Sequence, residues 1–141
     1  MKKLKFLTSI MLVAVSILMS SCEDILHANM LDKTKWECVK QGYFAADDGN
    51  TYAGVEKLLF HFKTTTEGNL TITTETSAGT REENATFKYT FMDSMISGTI
   101  TIKEGDYSGE YNVAYSHCDE TLILYNSTNG VSMVLYKVSD E

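Results

Sequence analysis

From Thr86 to Ser116 the chain alternates apolar and polar residues with a period of two. Phe87, Tyr89 and Phe91 alternate with Thr86, Lys88 and Thr90. Ile96, Gly98, Ile100 and Ile102 alternate with Ser97, Thr99, Thr101 and Lys103, and Tyr107, Gly109, Tyr111, Val113 and Tyr115 with Ser108, Glu110, Asn112, Ala114 and Ser116. Successive side chains of a strand point to opposite faces, so this pattern gives strands with one buried and one wet face. That is the signature of an antiparallel sheet rather than a parallel one. The sequence has no proline, so nothing removes a donor from the ladders.

The pattern predicts strands near 35–44, 56–64, 69–76, 84–92, 95–104, 106–116, 120–126 and 131–138. Glu67-Gly68-Asn69, Glu104-Gly105-Asp106 and Asn129-Gly130 are tight-turn sequences, and Asp93-Ser94 separates the fourth and fifth strands. Ala45 to Gly54 reads as the one long early connection, and Glu82-Glu83 as a wet loop before the fourth strand. Eight such strands with short turns favour an all-β, antiparallel up-and-down barrel, which also removes exposed edges. A two-sheet β-sandwich is the alternative. The outward residues are Thr, Lys and Glu, unlike those of a transmembrane barrel.

The N-terminus is built differently. Lys2, Lys3 and Lys5 precede an apolar run from Phe6 to Met19 of about fourteen residues, shorter than the roughly twenty a spanning helix needs. Met19-Ser20-Ser21-Cys22 follows, then Glu23-Asp24. This arrangement resembles a bacterial lipoprotein signal. The resemblance implies a signal over residues 1–21, acylation of Cys22 as the first mature residue, a tether over 22–32 and a domain over 33–141. Glu23 and Asp24 resemble the acidic export signal of surface lipoproteins of the Bacteroidota type. Attachment to the outer membrane would then come through the lipid.

Charge agrees with that. The chain carries 12 basic and 19 acidic residues, net −7. The three signal lysines leave with residues 1–21, so nine bases face nineteen acids, a net of −10. Such acidity argues against nucleic acid, whose phosphates demand cations, and against an electrostatic membrane patch.

With Cys22 lipidated, Cys38 and Cys118 remain as an even pair, a candidate disulfide in an exported protein. Two unpaired thiols are the alternative. Metal and cofactor sites are not expected: Cys118, His117 and His61 lack zinc-type spacing, and Asp47-Asp48-Gly49-Asn50 lacks that of a calcium loop. No phosphate loop, nucleophile elbow or H-E-x-x-H occurs, so no enzyme is expected. Asp93-Ser94-Met95 resembles the short O-glycosylation sequon of the same bacterial group, which makes Ser94 a candidate acceptor.

Leu31-Asp32-Lys33-Thr34-Lys35-Trp36, then Tyr111-Asn112-Val113 and Thr121-Leu122-Ile123-Leu124-Tyr125, are similar to the small lipocalin-like domains of Bacteroidota lipoproteins. The resemblance implies that Trp36 closes the barrel floor, with Lys137 in the place of the arginine that packs on it. Leu122 and Leu124 face one way and Ile123 and Tyr125 the other, while Val131, Met133 and Leu135 oppose Val134, Tyr136 and Val138. Strands apolar on both faces are usually covered on both. Ile25, Leu26, Met30 and Leu31 are the expected cover, with a protein partner as the alternative. Two functions follow: a lipid-anchored barrel that binds a small apolar ligand, or a filled barrel that docks an envelope protein.

Overall fold

A computed structural model describes residues 29–140. They form eight strands: β1 Thr34–Ala45, β2 Thr51–Phe62, β3 Glu67–Thr76, β4 Gly79–Met92, β5 Ser97–Ile102, β6 Gly109–Ser116, β7 Thr121–Tyr125 and β8 Ser132–Asp140. Every sequential pair is antiparallel, and β8 returns to pair with β1, closing the barrel. That closing ladder decides for the up-and-down, lipocalin-like barrel and against the sandwich.

The apolar face of the alternation forms the core. Leu58, Phe60, Phe62, Leu70, Ile72, Phe87, Tyr89, Ile100, Ile102, Tyr111 and Val113 are buried, joined by Leu122, Leu124, Met133 and Leu135 from the last hairpin. Alternation and burial coincide because the ladders keep strict register: Phe60 pairs with Leu70, Phe87 with Ile102, Ile100 with Tyr111 and Leu124 with Met133. Aromatic rings fill the centre. Phe62 lies 5.1 Å from Phe87 and 4.8 Å from Tyr89, and Phe60 lies 5.8 Å from Phe87. The two Phe62 pairs are edge-to-face and the Phe60 pair is tilted, and such ring contacts add to the stabilisation from buried area.

Two strands are longer than the sequence suggests. β2 begins at Thr51, because Tyr52, Ala53 and Gly54 pair with Phe44, Tyr43 and Gly42 and shorten the expected long connection to a turn. β4 begins at Gly79, because Glu82 and Glu83 pair with Thr73 and Ile72 instead of forming a wet loop. Cross-strand threonines and the Arg81–Glu83 ion pair, 3.8 Å apart, hold these acidic residues in the ladder. The β1–β2 and β3–β4 hairpins therefore reach beyond the shorter strands at one end, the mouth. The opposite end, the floor, holds Asn29, the start of β1 and the β4–β5 turn.

The floor is built from the chain's entry. Asn29 Oδ1 accepts hydrogen bonds from the amides of Leu31 and Asp32, both at 3.0 Å, and turns the chain inward. Leu31 is fully buried in the core and Met30 packs against it. They plug the barrel end instead of covering the outside of β7 and β8; Ile25 and Leu26 lie outside the described residues. Trp36 Nε1 donates to Thr34 Oγ1 at 2.8 Å, and the Tyr115 ring meets Trp36 edge-on at 6.3 Å. Lys137 stands opposite Trp36 in the β1–β8 ladder, exposed at the floor.

A closed mouth and a candidate docking face

Tyr107, read from the sequence as part of the sixth strand, lies in the β5–β6 connection and folds over the mouth. Its hydroxyl donates to the Glu56 carboxylate and accepts from Lys40 Nζ at 3.1 Å. The Lys40 ammonium also sits 4.8 Å from the ring centroid, a cation–π contact. Lys40 and Glu56 come from paired positions of β1 and β2, so one ladder rung presents both charges to one phenol. Tyr111 Oη donates to the Tyr107 carbonyl at 2.9 Å and ties the connection to β6. The cluster caps the core, and a small hollow remains above it between the hairpin tips, lined by Ala45, Asp47, Thr74, Thr76 and Arg81.

Burial raises Tyr107 well above the usual phenol range, and the Glu56 carboxylate adds to the shift; burial also raises Tyr89 and Tyr111. A phenol raised on folding contributes full stability below its unfolded value, near 10, and loses it as pH climbs through the folded one. Urea midpoints are therefore expected to be unaffected by these phenols up to about pH 10 and to fall above it. Tyr107→Phe should make that fall shallower, as followed by circular dichroism.

Broad hollows lie on the outer wall among the described residues. One of about 470 Å³ runs over β4–β7, lined by Met92, Thr99, Asn112, Ala114, Ile123 and Tyr125. Another, of about 580 Å³, lies on the outer side of the β1–β2 tip beside Tyr43.

The outer wall itself is uneven. Val39, Ile123, Tyr125, Val134, Tyr136 and Val138 are between 42% and 59% exposed and lie on β1, β8 and β7. Outward neighbours on β5 and β6 are Ser97, Thr99, Asn112 and Ala114. Charged outward residues are denser on β2, β3 and β4, as Lys57, Glu75, Glu82 and Lys88; Glu37 of β1, beside Tyr136 in the ladder, lies 4.0 Å from Lys57. Scattered apolar surface residues are ordinary; a contiguous row marks a candidate interaction site.

The other candidate residues fall as follows. Cys22, Glu23 and Asp24 lie outside the described residues. Cys38 and Cys118 are both free: Cys38 is buried inside the β1 wall, and Cys118 is exposed in the β6–β7 turn, so the candidate disulfide is not formed. Burial, the main cause, pushes the Cys38 thiol up. One thiol is thus expected to react with a disulfide reagent in seconds to minutes and Cys38 only after unfolding, which a titration of native and denatured Cys118→Ser protein checks. Ser94 is exposed in the β4–β5 turn, where Asp93 Oδ1 accepts from the Met30 amide at 3.0 Å. Among the described residues no group of His, Cys, Asp or Glu could hold a metal ion. Asp48 instead caps a turn, accepting from the Asn50 amide at 2.9 Å and from the Tyr52 hydroxyl, whose bond holds its carboxyl below the usual range.

No family model, curated protein or solved structure matches this chain.

Proposed function

We propose that this protein is a lipid-anchored envelope lipoprotein whose barrel is a filled docking module. The observation that carries the reading is the pairing of a packed interior with a bare apolar outer wall. Side chains occupy the space that a carrier of this strand number would give to a ligand. Lys40, Glu56 and Tyr107 close its mouth. This packing favours docking over a small apolar ligand held inside. The row on β7, β8 and β1 gives a partner an apolar centre, and the closed ladders leave recognition to side chains rather than strand edges.

Cys22 supports the anchoring half. Each buried acyl CH2 contributes about 0.8 kcal/mol, so several chains on one cysteine hold a domain that carries no cationic patch of its own. In cell fractionation the parent is expected in the membrane pellet after a high-salt wash, and Cys22→Ala in the soluble fraction. A Cys22→Ala protein that stays in the pellet overturns the anchor. Native mass spectrometry of the purified protein tests the other half: a co-purifying small molecule overturns the filled-barrel reading.

A further inference from the structure

We propose that a hollow on the outer wall of β3 and β4, ringed by Lys63, Lys88 and Lys103, binds a phosphate monoester. The site is independent of the docking reading. In the closed order β3 and β4 stand across the barrel from β7 and β8, so it holds whether or not the apolar row takes a partner.

The ladder builds the hollow. It has a volume of about 200 Å³, and Glu67, Asn69 and Thr86 also line it. Glu67 pairs with Lys88 and Asn69 with Thr86 across β3 and β4. Their neighbours Leu70, Ala85 and Phe87 are buried, so Asn69, Thr86 and Lys88 point outward. Lys63 follows the end of β2 and Lys103 the end of β5, where its amide donates to the Thr86 carbonyl at 3.0 Å. Three separate segments thus bring one lysine each to a single spot.

Charge carries the inference. In a chain of 12 basic and 19 acidic residues a cation readily finds a carboxylate. Lys57 pairs with Glu37 at 4.0 Å, and Arg81 with Asp47 at 3.9 Å and Glu83 at 3.8 Å. Among the described residues, Lys63, Lys88 and Lys103 have no such ion pair, even though Glu67 stands opposite Lys88 in the ladder. Lys63 is held instead by a neutral group: Asn69 Oδ1 accepts from its Nζ at 3.0 Å, while Asn69 Nδ2 donates to the Gly68 carbonyl at 3.1 Å. Like charges gathered round one hollow repel, and a bound anion relieves that repulsion.

The wall already holds one oxyanion. Phe87 pairs with Ile102, the last residue of β5, so the Thr86 amide beyond it has no strand partner on that side. Glu104 Oε1 takes it at 2.9 Å, and accepts from Thr86 Oγ1 at 3.3 Å. A carboxylate carries one charge. A phosphate monoester carries about −1.5 to −2 at neutral pH and three acceptor oxygens, which matches three ammoniums. Lysines meet it as mobile point charges. The lysines surround one local hollow and do not spread over a face, so attachment of the domain still falls to the lipid.

Calorimetric titration of the full chain, in neutral detergent at low salt, tests this with glycerol 3-phosphate. Saturable binding is expected. It should weaken at least tenfold in the Lys88→Gln, Lys103→Gln double variant and several-fold in Lys63→Gln, and be unchanged in Lys57→Gln. Glu104→Gln keeps the acceptor for Thr86 and removes a competing charge, so it should bind several-fold tighter, a gain that misfolding cannot produce. Dihexanoyl phosphatidic acid, which has the same monoester group, identifies the source. Tighter binding than that of glycerol 3-phosphate, lost in the double variant, assigns the site to a lipid headgroup; equal binding assigns it to a soluble phosphoester. The absence of saturable binding overturns the site, as does binding that the double variant retains in full.

Discussion

Trp36→Ala is expected to unfold with a free energy about 3–5 kcal/mol below that of the parent. Trp36 is 1% exposed and its ring is the largest fully buried side chain. Its removal empties the space between Tyr115 and the floor plug of Leu31. It also removes the indole donor from Thr34 Oγ1, itself a buried atom that donates to the Leu31 carbonyl. The cavity and the lost hydrogen bond act together, because Thr34 positions the residue that closes the barrel end. Domains of this size hold about 5–15 kcal/mol in total, so the loss is a third or more. Trp36 is the sole tryptophan, so urea unfolding must be followed by circular dichroism rather than indole fluorescence. Trp36→Phe, which keeps most of the volume, should recover part of the loss. An unchanged midpoint for Trp36→Ala would remove the residue from the core.

Gly98→Ala is the second large effect, and its cause is the opposite one. A methyl group at Gly98 would sit 1.9 Å from the Thr90 carbonyl oxygen and 2.7 Å from the Phe91 Cα, both backbone atoms of β4. No rotamer relieves a clash with backbone, so the β4–β5 ladder must part where Phe91 pairs with Gly98. Overpacking of a core costs typically 1–3 kcal/mol when side chains can yield; here they cannot, and a loss of about 3 kcal/mol or failure to accumulate is expected. Gly42→Ala is the matched control. Its methyl would meet only the Phe44 ring, at 3.7 Å, an ordinary contact. Equal melting temperatures for the two variants would show that β4 and β5 are not that close.

The barrel was legible because its inward residues are large and its outward ones polar over β4, β5 and β6. In that region the period alone assigns the face, and every strand was found. What escaped was set by pairing rather than by residue type. Glu82 and Glu83 are poor strand formers, yet they lie in β4 because Thr73 and Ile72 of β3 pair with them. Tyr107 continues the alternation of β6 but leaves the sheet, since Lys40 and Glu56 offer its hydroxyl two charged partners at the mouth. Leu31 has helical spacing with Ile25, Leu26 and Met30, but the Asn29 turn sends it inside. The double-sided last hairpin was the clearest sequence signal for an apolar outer wall, and Ile123, Tyr125, Val134 and Tyr136 stand exposed there without the expected cover of Met30 and Leu31. The mouth cluster could not be read at all, because its members lie 16 and 51 positions apart in the chain.

Every ladder but one joins strands that follow each other in sequence, so seven of the eight seams form from local hairpins. The exception runs between the two ends of the domain, from Thr34 to Glu37, and carries a bulge after Lys35. Closing it means ordering the whole intervening chain as a loop, so it forms last and sets the folding rate. Until then β1 and β8 both present open edges, and nascent chains can pair with one another there. The seam that completes the barrel is also the one that immature molecules must keep apart.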